Sequence, residues 1–285
     1  LERNEKMIQK EEILQAASHH KVNPVIIEKD YVLGWVLAGI SSNLSFSESW
    51  IFKGGTCLKK CYFEGYRFSE DLDFTLTEDA SIDPGFIQTQ LSEIARWLYD
   101  NSGIEIPEII VDIFPDSNGK TFRGKLGYVG PLEQRGSFTR IKLDLTQTEV
   151  LAKPPVKSKI FHPYGDKDDF LYHIYTYSYE EIFAEKLRAL LERARPRDLY
   201  DVINLFEQKN EHSVDVVVLK EIAQAKLAYR GLPNFAEKTS LTEAQVKDLV
   251  QDWENMLAHQ IGHLDPVHVY QNKLPMVFDW IGLNI

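Results

Sequence analysis

A glycine pair followed by an acid-x-acid triplet constrains this chain more than any other stretch. In FKGGTCLKKCYFEGYRFSEDLDFT, residues 52–75, Gly54 and Gly55 close a short apolar strand and Asp71-Leu72-Asp73 opens the next. Residues i and i+2 of a strand share a face. Asp71 and Asp73 therefore stand side by side, with Leu72, Phe74 and Leu76 on the other face. Two carboxylates held close together repel unless a cation lies between them. The pairing points to a Mg2+ site for phosphate chemistry. The glycines supply its counterpart, because backbone that approaches a phosphate closely has to lack a Cβ. Gly54-Gly55-Thr56 reads as a turn whose N–H groups, with the N-terminus of the next helix, hold triphosphate oxygens. The plain alternative is an ordinary strand-to-helix turn.

The surrounding periodicity places these motifs in an α+β domain. Helices are expected over 5–20 and 24–42, the second with Asn23 as N-cap and Pro24 at its first position. A strand over Trp50 to Lys53 leads into a helix over Thr56 to Tyr62, then a loop from Glu64 to Glu70. Another helix spans 84–101 and ends near Ser102-Gly103. The stretch from Ile104 to about Leu151 is strand-rich, with EIIVDIF, KLGYVGPL and FTRIKLDLT separated by glycine-containing breaks. The tract AKPPVKSKIFHPYGDKDDF, 152–170, has the proline, lysine and glycine content of a connection. Helical patterns follow at 179–193, 197–208 and 219–229. A long helix is expected from Ser240, where Ser240 and Glu243 match the S-x-x-E capping box. The organisation is a mixed sheet with flanking helices over 1–151, followed by an all-helical domain over 171–285.

Three further groups bear on chemistry. In RIKLDLT, Ile141, Leu143 and Leu145 form the buried face, while Lys142 and Asp144 point the other way. Asp144 on a neighbouring strand would complete a three-carboxylate clamp for two metal ions; alone, it reads as an exposed acid. In YEEIFAEKLRALLER, Phe183, Leu187, Leu190 and Ala194 make the core stripe, and Lys186 and Arg193 border it seven positions apart. From there a cation can reach a triphosphate in a cleft. Pairing with Glu181, Glu185 or Glu192 accounts for the same cations. Asp198 and Asp201 in PRDLYD complement the dipole of a helix start and have no further role by spacing alone. His259, His263 and His268 lack carboxylate or thiol neighbours and read as ordinary core or surface residues. Tyr62, Phe63, Tyr66 and Phe68 read as packing around the turn.

The net charge of -11 over 285 residues argues against a non-specific nucleic-acid coat but leaves room for a local basic groove. Cys57 and Cys61, spaced CLKKC on one helix, read as free thiols rather than a disulfide or zinc site. No apolar run reaches the ~18 residues of a membrane span, and the leading LERNEKMIQKEE carries no apolar signal region. A cytoplasmic protein is expected.

The order strand, Gly-Gly, helix, DxD strand and later strand aspartate resembles the nucleotidyltransferase fold of the DNA polymerase β superfamily. Locally, FKGGTCLKKCY, YRFSEDLDFTL, YEEIFAEKLRALLER and RPRDLYDVINL resemble, in order, the motifs of the AbiEii/AbiGii toxin family. The likeness runs from EKDYVL at residue 28 to residue 206. It implies the toxin half of a type IV toxin–antitoxin pair: an NTP- and Mg2+-dependent transferase that restrains growth until a cognate antitoxin counteracts it. Related toxins add nucleotides to the 3′ end of tRNA, which implies tRNA as the acceptor. By position, Gly54, Gly55 and Ser69 would hold phosphate, Asp71 and Asp73 would bind metal, and Lys186 would contact the triphosphate. Asp198 or Asp201 would supply an essential carboxylate. For an acidic protein to hold tRNA, Lys53, Lys59, Lys60, Arg67, Lys186, Arg188, Arg193, Arg195 and Arg197 are the basic side chains expected around the cleft. NMP transfer to a protein hydroxyl is the nearest alternative. DLDFTL also resembles the DxDxT start of haloacid-dehalogenase phosphatases, although Phe74 replaces a small residue and the preceding RFSE is polar. A silent module that only sequesters a partner is the remaining alternative.

Overall fold

The computed structural model describes residues 6–77, 79–116, 119–147, 149–232 and 241–282. The chain divides into two units, Leu1–Glu149 with Pro155–Thr176, and Val150–Pro154 with Tyr177–Ile285. In the first, α1 (Lys10–His20) ends where Lys21 turns left-handed at φ 54°. The expected start at residue 5 lies outside the described residues, and the helix begins at Lys10. Helix α2 (Pro24–Ser42) is capped by the Asn23 side chain, which accepts from the Val25 N–H at 2.9 Å. Nearly all of its turns are buried, so its two buried acids need partners. Glu28 accepts from the Leu132 N–H at 2.6 Å, and Asp30 accepts from Lys60 and Tyr164.

Strand β1 (Trp50–Lys53) runs into α3 (Gly54–Cys57), which continues as a π-helical turn over Leu58–Tyr62. Gly54 and Gly55 thus begin the helix, rather than forming a turn ahead of it. Strand β2 (Asp71–Leu76) follows, then α4 (Pro84–Ser102), which Asp83 caps and Gly103 terminates at φ 76°. Strands β3 (Glu105–Asp116), β4 (Gly119–Val129), β5 (Thr139–Thr146), β6 (Val156–Lys159) and β7 (His173–Thr176) complete the sheet.

Among the described residues this is one mixed seven-stranded sheet in the order β3-β4-β5-β2-β1-β7-β6. Strand β2 is antiparallel to β1 and parallel to β5. Leu72, Phe74, Leu76, Ile141, Leu143 and Leu145 are buried on one face, as their alternation requires. Strands β6 and β7 depart from the expected connection and helical stretch. Each has four residues, too few to declare a period of two. Lys157 and Lys159 on β6 suit an edge strand, where charge discourages pairing with another chain.

The second unit is helical: α5 (Tyr179–Arg193), α6 (Pro196–Glu207), α7 (Val216–Tyr229), α8 (Glu243–Leu257), α9 (Val267–Gln271) and α10 (Leu274–Trp280). Ser178 caps α5 through the Glu181 N–H, and Phe183, Leu187, Leu190 and Ala194 form the buried stripe. The capping box of α8 is Thr242 with Gln245. Ser240, expected in that role, lies outside the described residues, and Glu243 is already the first helical residue. No described helix is long and apolar enough to cross a membrane.

Candidate active site

The glycine pair, the paired acids and the loop between them meet in the first unit. Gly54 sits at φ +81°, a conformation that side chains disfavour. A Cβ there would lie 2.2 Å from Asp73 Oδ2, so the carboxylate occupies the space the missing side chain leaves. A Cβ on Gly55 would lie 2.7 Å from Arg67 Nη2 and 3.1 Å from Ser69 Oγ. The backbone at the start of α3 is therefore flanked by an acid on one side and by a guanidinium and a hydroxyl on the other. Thr56 is buried, and its hydroxyl donates to the Asp71 carbonyl, tying α3 to the first residue of β2. What Thr56 can offer a phosphate is its first-turn N–H.

Register carries the acids across the sheet. Lys53 on β1 pairs with Asp73 on β2, Asp73 with Asp144 on β5, and Asp144 with Arg123 on β4. One row behind, Asp71 pairs with Lys142. The first row sets two adjacent acids between two bases, and the second sets Asp71 beside Lys142. Arg123 Nε lies 3.3 Å from Asp144, and Lys142 Nζ lies 3.9 Å from Asp71. Lys53, buried, pairs with Glu149, which also accepts from Thr75 at 3.4 Å. Burial pushes the Asp71 pKa up; Glu70 and Asp144 add to the shift as like charges, and Lys142 and Lys29 oppose it.

Among the described residues, no group of three or more His, Cys, Asp or Glu side chains stands in metal-holding geometry. The donor chemistry still suits a hard divalent ion. Asp71, Asp73 and Asp144 are all carboxylates, two of them are direct register neighbours, and Asp71 is disfavoured in its charged form by its surroundings. His259, His263 and His268 join no such group.

The remaining predicted residues form two ion pairs between α5 and α6 of the second unit. Lys186 Nζ lies 2.9 Å from Asp201 Oδ2, with Asp201 fully buried. Arg193 binds Asp198 through Nε at 2.8 Å and Nη2 at 3.0 Å, a bidentate pair whose acid is 1% exposed. Neither cation pairs with Glu181, Glu185 or Glu192 of its own helix; Glu192 pairs with Arg188 and Glu181 with Lys226. Residues 198 and 201, about one turn apart, face α5 together and meet Arg193 and Lys186 there. Sequence reasoning missed Arg67 as a neighbour of Gly55, and Arg123 and Lys142 as partners of the acids. Arg67 carried no signal beyond its charge. The other two were legible only once β5 was in register with β4 and with β2.

The nucleotidyl transferase AbiEii toxin family of type IV toxin–antitoxin systems matches residues 35–281. The chain belongs to this family. AbiEii members are nucleotidyltransferase toxins, so the enzyme class is set, an NTP is the substrate and an antitoxin is the partner. The phosphatase and silent-module alternatives fall away. The fold is similar to that of MenT4, a nucleotidyltransferase toxin from Mycobacterium tuberculosis, with a TM-score of 0.62 at 18% identity over 96% of this chain and 89% of that one. It is also similar to JHP933 from Helicobacter pylori, with a TM-score of 0.60 at 17% identity over 91% and 93% of the two chains. No curated protein matches this chain in sequence.

Proposed function

We propose that this AbiEii-family enzyme transfers NMP from an NTP to the 3′ hydroxyl of tRNA, blocking aminoacylation, translation and growth. One arrangement carries the reading: the Asp73 carboxylate lies in the space above Gly54, with Asp144 beside it in register and Arg67 and Ser69 against Gly55. The first-turn N–H groups of Gly54, Gly55 and Thr56 bind triphosphate oxygens, and Ser69 and Arg67 close on them from the loop. Lys186, held extended by Asp201, adds a cation to the triphosphate; of the two α6 acids, Asp201 is the one that serves the reaction. Asp198 holds Arg193 in place on α5, where the guanidinium also serves the nucleotide. Mg2+, held by Asp71, Asp73 and Asp144, would polarise the α-phosphate and offset charge on the leaving pyrophosphate. Basic side chains of the first unit, Lys142 and Arg123 among them, supply contacts for the acceptor backbone.

The test is to incubate the purified protein with each labelled NTP, total tRNA and cell protein. Label on the tRNA 3′ end supports the reading. Label on protein alone would replace tRNA by a protein hydroxyl as acceptor.

A further inference from the structure

A cleft of about 480 Å³ opens in the first unit, within the usual size range of small-ligand sites. Its walls set Lys59, Lys60, Lys159 and Lys167 against Asp30, Glu64 and Asp168, with Phe161 and Leu171 beside them. Lys59 and Lys60 come from the π-helical turn, closed by the Phe63 N–H donating to the Leu58 carbonyl at 2.8 Å. Such turns are rare and gather at functional sites. Here the wider turn sets two successive lysines on one wall, and both are nearly fully buried, at 5% and 1% exposure.

Their charges are not equally balanced. Lys60 is 2.6 Å from Asp30, which Tyr164 also holds at 2.7 Å. Lys59 donates to the Glu64 carbonyl at 3.2 Å and lies over the Phe68 ring, and burial lowers its pKa. Among the described residues, Lys59, Lys159 and Lys167 have no ion pair. Buried Lys59 shares the charge of Asp30, which Lys60 already binds, and an anion in the cleft would offset the remaining positive charge. His162 also lines the cleft, and its Nδ1 is buried without a hydrogen-bond partner among the described residues. Folded proteins seldom leave such atoms unused. Phe161 and exposed Leu171 give the rim an apolar side on which a base or ribose can rest.

We propose that this cleft is a second, non-catalytic site for a nucleotide-class ligand, with Lys59, Lys159 and Lys167 gripping its phosphate and Phe161 and Leu171 meeting its apolar part. Lys59 lies four residues beyond Gly55 on one continuous helical run, so an occupant is anchored to the segment that also carries the glycines. The phosphate can come from a free nucleotide or from an RNA end, and the test separates the two.

Titration calorimetry in EDTA would compare ADP, pyrophosphate and a short oligoribonucleotide with and without a 5′-phosphate. The proteins are the wild type, the exposed-rim double variant Lys159→Ala/Lys167→Ala, and Lys186→Ala. ADP should bind the wild type and Lys186→Ala alike, and at least tenfold more weakly to the double variant at an unchanged melting temperature. The same pattern confined to the 5′-phosphorylated oligonucleotide identifies an RNA end as the source. Binding that survives in the double variant but is lost in Lys186→Ala overturns the proposal, as does no binding of any probe at millimolar concentration.

Discussion

Asp71 shows how a reactive side chain can weaken the fold that carries it. Its raised pKa means that the native state holds this proton more tightly than the unfolded chain does. The group therefore favours the fold at low pH. That contribution is lost as pH rises from the ordinary aspartate value of about 3.9 through the raised native value. Asp71→Asn should leave the metal-free protein unchanged or more stable by ~0.5 kcal/mol at neutral pH, roughly 1–2 °C in melting temperature. The same change should lower nucleotide transfer by about three orders of magnitude. A scanning-calorimetry melt beside a labelled-NTP assay checks both halves, and a clear loss of stability would mark Asp71 as structural. The α6 acids should separate in a similar way. Asp201→Asn frees Lys186 from its anchor, and transfer should fall at least tenfold with the melt nearly intact. Arg193→Ala instead leaves Asp198 buried and unpaired, which should cost on the order of 2–3 kcal/mol. Denaturant titration of that variant distinguishes the two pairs.

At the scale of elements, the junction of β1 and α3 is the tightest part of the candidate site. Gly54→Ala must place a Cβ at φ +81° and within 2.2 Å of Asp73 Oδ2. The left-handed conformation alone costs about 1–2 kcal/mol, and the contact displaces the carboxylate. Transfer should drop more than tenfold, with a melting temperature several degrees lower; an active Gly54→Ala enzyme would show that Asp73 has no fixed place above this glycine. This junction was legible in sequence because strand alternation has a period of two, which set Asp71 and Asp73 opposite Leu72 and Phe74 before any coordinates. Pairings that depend on which strands meet were not legible. Arg123 reaches Asp144 only because β4 lies antiparallel to β5, and Ser69 reaches Gly55 only because the loop folds back on α3. Pairing of Lys186 with a glutamate of its own helix was the expectation; the buried Asp201 of a second helix holds it instead, and no pattern within one helix declares that contact. The π-helical turn at Leu58–Tyr62 had no signature either, since LKKCY is compatible with an ordinary α-turn.

For the whole molecule, the balance of charge sets how an acceptor can be held. A chain of net charge -11 attracts RNA only where bases concentrate, and the sheet rows interleave Arg123 and Lys142 with the acids they neutralise. Association with tRNA should weaken steeply with salt, at least tenfold between about 50 and 200 mM. Lys142→Ala should flatten that dependence; filter binding across a salt series measures both. The sequence changes from strand-rich to helical patterning near residue 150, whereas the first unit also takes in Pro155–Thr176. The short β7 hid the point at which the helical unit starts, Tyr177. The most direct test remains nucleotide transfer to tRNA by the wild type and by Asp73→Asn, with label followed at the 3′ end. The account predicts labelled tRNA from the wild type and none from the variant. Equal labelling by both proteins, or labelled tRNA from neither, would contradict it.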